Sequence, residues 1–207
     1  MSFRQSLVAS LFALSLVPFI APSANAQGYN LVNQLQTTCS DHGDSAIAEF
    51  INNPLVHHLS LALQAKGDGS SAQGNVYFNN PRFESIAVNF MGQCHANFDP
   101  ASFQVRVLFV PPGSTTMLNH GYNCETNTVA EGANGEKRMV ITSASLCDCH
   151  MHIPPGSILK GIWLVLTVEG DTDNTYNFFV DSLTVNGQAI HIDPHAQTAS
   201  CFNDTPP

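Results

Sequence analysis

The 207-residue chain has few positive charges. It contains 7 Lys and Arg against 16 Asp and Glu, a formal net charge of −9, and no run of basic residues. Nucleic acids and anionic membranes both require clustered positive charge, so the sequence excludes them as partners. Charged residues make up only 11 % of the chain, whereas 43 % is hydrophobic, which is too much for a disordered protein.

Recognisable catalytic motifs are also missing from the sequence. It has no Gly-x-Ser-x-Gly nucleophile elbow and no His-Glu-x-x-His zinc-protease helix. Carboxylate pairs for glycoside cleavage would need a spatial arrangement that no spacing in the sequence indicates. The prediction is therefore a protein that is not an enzyme.

Long apolar runs are scarce, and the most prominent one lies at the N-terminus. Arg4 precedes an apolar stretch over residues 7–20, and Ala24-Asn25-Ala26 provides a small-x-small cleavage pattern. The apolar stretch is shorter than the ~20 residues that a membrane-spanning helix needs. Residues 1–26 are thus predicted to be a cleaved signal peptide, which makes the protein secreted or periplasmic with no membrane anchor after cleavage.

The predicted export determines how the cysteines are interpreted. All six lie after the signal peptide, and an even number in an oxidising compartment favours up to three disulfides. They are Cys39, Cys94, Cys124, Cys147, Cys149 and Cys201. Their full pairing has about fifteen solutions. A Cys39–Cys201 bridge is expected because closing a long loop constrains the unfolded chain most.

Short segments of alternating polarity follow residue 56, separated by Gly, Pro and Asn. Leu59, Leu61 and Leu63 alternate with polar residues, and Phe103, Val105 and Val107 do the same, which is typical of half-buried strands. The predicted fold class is all-β, an antiparallel β-sandwich (jelly roll), preceded by a short helix that Asp44 caps and that runs to Asn52.

The predicted organisation has four parts: a signal peptide (1–26), a lead-in with the short helix (27–55), the β-sandwich domain (56–193) and a C-terminal tail (194–207).

Three stretches resemble secreted carbohydrate-binding modules of the galactose-binding-like jelly-roll type. They are Leu59-Ser60-Leu61-Ala62-Leu63-Gln64-Ala65-Lys66-Gly67, Ile153-Pro154-Pro155-Gly156-Ser157 and Asn177-Phe178-Phe179-Val180-Asp181-Ser182-Leu183-Thr184-Val185-Asn186-Gly187. The resemblance implies a jelly roll and a glycan as ligand. It also implies a structural Ca²⁺ near Asp181, because similar modules often hold calcium at the matching strand.

A glycan site needs an aromatic platform, since sugar rings stack their apolar faces on π-systems. The single tryptophan, Trp163, is the leading candidate, supported by Tyr122 and Tyr176. The predicted function is therefore a secreted, non-catalytic binding module with a glycan as ligand. An alternative is a structural or adhesion protein of the cell surface.

A second alternative rests on the dense cluster Cys147-Asp148-Cys149-His150-Met151-His152. If residues 145–152 form a strand, Asp148, His150 and His152 share one face and suit Zn²⁺ or Cu²⁺. A further ligand would come from elsewhere in the fold, with His95, His120, His191 and His195 as the candidates. The protein would then be an extracytoplasmic metal-binding protein. The favoured expectation is that no metal binds there and that Cys147 and Cys149 form disulfides with two different cysteines.

Overall fold

The computed structural model describes residues 32–39, 45–53, 58–94, 100–132, 134–170, 173–190 and 198–202. The predicted signal peptide lies outside these residues. Within them, no helix has the length and apolarity needed to cross a membrane.

Thirteen strands and one four-residue helix make up the described fold. In chain order they are β1 (Val32–Thr38), β2 (Ser45–Asn53), β3 (His58–Lys66), β4 (Ser71–Tyr77), β5 (Ser85–Met91), β6 (Ala101–Val110), β7 (Leu118–Asn123), α1 (Cys124–Asn127), β8 (Thr128–Glu131), β9 (Glu136–Thr142), β10 (Ile158–Val168), β11 (Thr175–Val185), β12 (Gln188–Ala189) and β13 (Ala199–Phe202).

The strands form two antiparallel sheets. The smaller sheet has five strands in the order β1-β4-β10-β6-β7, and the larger has eight, in the order β13-β2-β3-β11-β5-β9-β8 with β12 beside β11. Ile86, Val88 and Phe90 of β5 are fully buried, while the residues between them are half-buried. This period of two places one face of each sheet in the core. The predicted all-β antiparallel sandwich is confirmed.

The helix predicted between Asp44 and Asn52 is wrong. Residues Ser45–Asn53 form β2, which pairs with β3 along its whole length and with β13 at its start. Ala46 and Ala48 are completely buried against the core, whereas Ile47 lies half-buried on the opposite face. Pairing with two neighbours satisfies the backbone of this segment, and that tertiary gain outweighs its helical spacing.

The sandwich extends beyond the 56–193 boundaries predicted for it. β1 and β2 come from the segment predicted as a lead-in, and β13 comes from the predicted C-terminal tail, yet all three are hydrogen-bonded members of the sheets. Isolated end segments would expose unpaired backbone groups, and the edges of existing sheets offer partners for them.

Three phenylalanine rings connect the sheets at the centre of the core. Phe103 belongs to the smaller sheet, while Phe90 and Phe178 belong to the larger one. The ring centroids of Phe103 and Phe178 are 4.6 Å apart, and those of Phe90 and Phe103 are 5.2 Å apart. All three side chains have exposed fractions of 2 % or less.

Disulfides pair all six cysteines. The expected Cys39–Cys201 bridge is confirmed and joins the end of β1 to β13, spanning 162 positions in the sequence. Cys94 bonds to Cys124. Cys147 bonds to Cys149, so the expectation that these two have different partners is wrong. Disulfides persist in oxidising compartments, so three of them fit an extracellular protein.

Candidate functional site

The three aromatic residues predicted to bind a ligand do not meet. Trp163 lies on β10 and Tyr122 on β7, both in the smaller sheet, whereas Tyr176 lies on β11 of the larger sheet. Trp163 is half-buried and points away from the core, because its neighbours Ile162 and Leu164 are core residues. A single platform built from all three is therefore impossible in this fold.

Tyr122 is fully buried, so its assignment as a ligand-binding residue is wrong. It lies opposite Val105, a core residue of β6, and its hydroxyl has no hydrogen-bond partner among the residues that the structure describes. Burial, together with the negative charge of Asp148, raises the pKa of Tyr122 to about 12. Strand alternation turns this side chain inward, where no ligand reaches it.

The raised pKa of Tyr122 leads to a prediction about alkaline stability. As the pH rises above 10, the unfolded chain loses the phenolic proton before the folded chain does. The free energy of unfolding is therefore unaffected by this group at lower pH and should fall by about 1.4 kcal/mol between pH 8 and pH 11. Urea unfolding across this range measures the fall.

Tyr122→Phe is the matched variant for this measurement. It keeps the ring and removes the titrating hydroxyl, so its unfolding free energy should lack that part of the alkaline decline. At neutral pH it should be as stable as the wild type, since the lost hydroxyl makes no hydrogen bond within the described part of the chain. An identical alkaline decline in both proteins would contradict the assignment.

Tyr176 lines a wide groove of about 690 Å³ at one end of the larger sheet. The groove lies where β5 ends and β11 begins, beside the turn between β8 and β9. Four residues with amide side chains line the groove together with the tyrosine: Gln93, Asn134, Asn174 and Asn177. By strand alternation the Asn177 side chain lies on the other face of β11, where it bonds to Gln64. Each amide carries two N–H donors and a carbonyl acceptor. Such groups can hydrogen-bond to neighbouring hydroxyls of a polyol.

The floor of the groove is packed closely. A Cβ atom on Gly92 would lie 2.8 Å from ring carbons of Phe178, so only glycine lets the backbone rest on that ring. Lys137 Nζ donates to the Gly92 carbonyl oxygen at 3.2 Å. At the rim, Gln64 Nε2 donates to Asn177 Oδ1 at 2.7 Å. These contacts hold the end of β5 and the start of β11 in place.

The four amide residues that line the groove carry no recognisable signal in the sequence. Asn and Gln near strand ends are ordinary turn residues, and no spacing among residues 93, 134, 174 and 177 indicates that they converge. Only the pairing of β11 with β5, and of β5 with β9, brings these distant segments to one end of the sheet.

The predicted strand over residues 145–152 is also wrong. The segment is a compact turn in which Cys147 N donates to the Met151 carbonyl oxygen at 3.0 Å and His150 N donates to the Cys147 carbonyl oxygen at 2.8 Å. His150 has a φ of 59°, in the left-handed region that a strand does not use. The direct Cys147–Cys149 bond accounts for the curvature, because it joins residues separated by a single position.

The turn separates the side chains proposed as a zinc or copper site. His150 and His152 are exposed, and His152 Nδ1 lies 3.2 Å from the Ser145 carbonyl oxygen. The Asp148 carboxylate accepts hydrogen bonds from Gln104 Nε2 at 2.8 Å and from Asn123 N at 3.1 Å. The shared strand face on which the Asp148, His150 and His152 site depended is therefore absent.

A different set of potential ligands converges in the described residues. The ligand atoms of His120, Cys147 and Cys149 all lie within 4.8 Å of one another. His120 comes from β7, is buried, and meets the Phe109 ring edge-on at a centroid distance of 4.8 Å. Burial lowers the pKa of His120 below its ordinary value.

Asp181, the residue expected near calcium, is buried at an irregularity in β11. The pairing of β11 with β5 shifts register between Val180 and Ser182, on either side of Asp181. Asp181 Oδ1 accepts a hydrogen bond from Ser60 Oγ at 2.6 Å, and both side chains have exposed fractions of 5 % or less. This contact couples two of the stretches that resemble carbohydrate-binding modules.

No protein-family model and no curated protein matches this chain. Among solved structures, it is similar to the family 11 carbohydrate-binding module of the cellulosomal cellulase Lic26A-Cel5E of Clostridium thermocellum. The two are 7 % identical, the similarity covers 79 % of this chain and 97 % of that chain, and the TM-score is 0.45. It is also similar to TmCBM61, solved with β-1,4-galactotriose, with 9 % identity, 74 % and 87 % coverage, and a TM-score of 0.40.

A third similar structure is the enzymatically active domain of bacteriophage CBA120 tailspike protein 4, with 12 % identity and a TM-score of 0.42. The similarity covers 76 % of this chain but only 19 % of the tailspike chain. Carbohydrate-binding modules, which the sequence stretches resemble, are thus among the similar structures. At these identities and TM-scores the likeness says nothing about the ligand of this chain.

Proposed function

We propose that this protein is a secreted, non-catalytic module that binds a neutral glycan in the groove beside Tyr176. The observation that carries the proposal is the combination of an aromatic residue, Tyr176, with the amide residues Gln93, Asn134 and Asn174 along about 690 Å³ of open space. Ligand sites combine apolar or aromatic surface with a few well-placed polar groups, and this groove has both.

The groove chemistry matches a sugar ring. The C–H face of a pyranose is apolar and stacks on an aromatic ring, while its hydroxyls both donate and accept hydrogen bonds. Tyr176 offers the ring, and it is half-buried against the core, which limits its motion. The amides of Gln93, Asn134 and Asn174 offer donors and acceptors along the same groove.

Charge favours a neutral glycan over an anionic one. None of the ten described residues that line the groove carries a formal charge, and the chain as a whole is acidic. Sulfated or uronic acid polymers would be repelled by the net charge of −9 and would find no cluster of Lys or Arg to neutralise them.

The close packing beneath the groove reduces the cost of binding. Gly92 rests on Phe178, and Asn177 is already hydrogen-bonded to Gln64, so these parts lose little freedom when a ligand arrives. Preorganised sites reach higher affinity for the same contacts. Gly92→Ala should therefore impair binding through the floor of the groove, although residue 92 offers no side chain to the ligand.

A glycan array followed by calorimetry tests the proposal. Tyr176→Leu keeps an apolar side chain against the core and removes the aromatic face, and we expect its affinity to fall roughly tenfold to a hundredfold. Trp163→Ala is the control on the other sheet and should bind like the wild type. The structural or adhesion alternative predicts no binding to any glycan, and that result would overturn the proposal.

If binding is lost in Trp163→Ala and kept in Tyr176→Leu, glycan binding stands but the site moves to the outer face of the smaller sheet. In that case the groove assignment is wrong. Thermal unfolding of each variant separates lost binding from lost folding.

A further inference from the structure

The convergence of His120, Cys147 and Cys149 is unexplained by glycan binding. It lies at the edge of the smaller sheet, where the turn over residues 143–152 packs on β7. Asp148 holds the turn there: its backbone N donates to the Gly121 carbonyl oxygen at 2.9 Å, and its carboxylate accepts from Asn123 N at 3.1 Å. These anchors do not involve the disulfide, so they remain when the bridge opens.

His120 has an unsatisfied nitrogen within this cluster. Its exposed fraction is 5 %, and its Nδ1 has no hydrogen-bond partner among the described residues. Buried polar atoms are almost always paired, so an orphaned one needs an explanation. One of the two imidazole nitrogens also lies within 4.8 Å of both sulfur atoms, and a ring in this position would serve as a metal ligand if the sulfurs become thiolates.

The two sulfur atoms differ in their surroundings. Cys149 is exposed, whereas Cys147 has an exposed fraction of 3 % and its Sγ accepts a hydrogen bond from Met151 N at 3.2 Å. An external thiolate can therefore reach Cys149, and a thiolate left on Cys147 is stabilised by an amide N–H. This arrangement suits thiol–disulfide exchange with Cys147 as the leaving group.

Of the three disulfides, Cys147–Cys149 is also the one whose opening should lower the free energy of unfolding least. It spans a sequence separation of 2, against 30 for Cys94–Cys124 and 162 for Cys39–Cys201. The stabilisation that a disulfide provides by constraining the unfolded chain grows with loop length. Partial reduction should therefore release Cys147 and Cys149 while the global fold stays intact.

We infer that reduction of the Cys147–Cys149 disulfide creates a zinc site from His120, Cys147 and Cys149. The reductant is a thiol. Its thiolate attacks Cys149 Sγ, the bond between the two protein sulfurs breaks, and Cys147 Sγ leaves with the electron pair. A second thiol displaces Cys149 from the mixed disulfide, which yields an external disulfide and two protein thiols. Zinc then replaces the two thiol protons, which are released to solvent.

One nitrogen and two sulfur ligands suit zinc, which binds His and Cys in tetrahedral sites. The three residues leave a fourth coordination position for water or a small ligand. In the oxidised protein the same sulfurs are bonded to each other and cannot bind metal as thiolates. The site is therefore switched by the redox state of the bridge.

Limited reduction of the full chain with a phosphine, which leaves no competing thiol, is the first test. Alkylation and mass spectrometry should find label on Cys147 and Cys149 before the other four cysteines. The reduced protein should then bind one zinc ion per chain by elemental analysis after gel filtration, and the oxidised protein none. Bound zinc should protect both cysteines from alkylation.

Two variants test the ligand set. Cys149→Ser changes an exposed residue and should abolish zinc binding without unfolding the protein. His120→Gln should weaken zinc binding roughly tenfold or more, and Co²⁺ in place of zinc should show a thiolate charge-transfer band in the wild type. Failure of the reduced protein to bind zinc would overturn the inference, as would equal binding by His120→Gln or earlier opening of Cys94–Cys124.

Discussion

Replacing Cys39 and Cys201 with alanine is expected to lower the free energy of unfolding by about 5 kcal/mol. The bridge spans 162 positions and closes nearly the whole described chain into one loop, so its loss gives the unfolded state the largest gain in freedom. It also fastens β1, an edge strand of the smaller sheet, to β13, an edge strand of the larger one. Urea unfolding under non-reducing conditions measures the loss.

The matched control removes the shortest bridge. Cys147→Ser with Cys149→Ser opens a loop with a separation of 2, for which chain entropy gives a loss of roughly 1.5 kcal/mol. The informative quantity is the ratio between the losses of unfolding free energy in the two double variants. Equal losses would mean that local contacts, and not constraint of the unfolded chain, determine what the long bridge contributes.

Phe103→Ala is expected to cost about 3–5 kcal/mol of unfolding free energy. The Phe103 ring is completely buried, and its centroid lies 4.6 Å from that of Phe178 and 5.2 Å from that of Phe90. Truncation leaves a cavity where the two sheets meet, and the paired strands on either side limit how far the core can collapse to fill it.

Phe202→Ala is the control for this variant, because it removes the same ring from a surface position with an exposed fraction of 58 %. Its effect should stay within about 0.5 kcal/mol. Phe103→Leu retains most of the volume and should fall between the two. A small loss in Phe103→Ala would show that the three rings do not hold the sheets together.

Strands whose side chains alternate cleanly could be predicted from the sequence. In β6, Phe103, Val105 and Val107 are buried as their spacing indicates, and the same is true of Leu61 and Leu63 in β3. Period two reports which side chains face the core, although it does not show that Gln104 and Leu108 on the other face of β6 are buried too. β2 was ambiguous for a physical reason: Ile47, Phe50 and Ile51 fit a helical face, while its buried face begins with two alanines, which carry a weak apolar signal.

The candidate sites were harder to predict because their parts are far apart in the chain. Tyr176 was recognised from its residue type, but the amides beside it come from segments that only strand pairing brings together. For the cysteine cluster, the sequence indicated ligands within residues 147–152 and offered several histidines from other segments with no means of choosing among them. The structure instead joins Cys147 to Cys149 and supplies His120 from β7, 27 positions before Cys147.

Composition, cysteine number and alternation together determined that this is an acidic, disulfide-bonded β-sandwich. These properties follow from local and summed quantities: charge, the count of thiols, and the direction of successive side chains along a strand. Tertiary structure alone decided that Tyr122 is buried, that Tyr176 lines a groove with Gln93, Asn134 and Asn174, and that His120 lies next to the Cys147–Cys149 disulfide. Those are distances between remote segments, and they are set by sheet order and register, which alternation within a single strand does not encode.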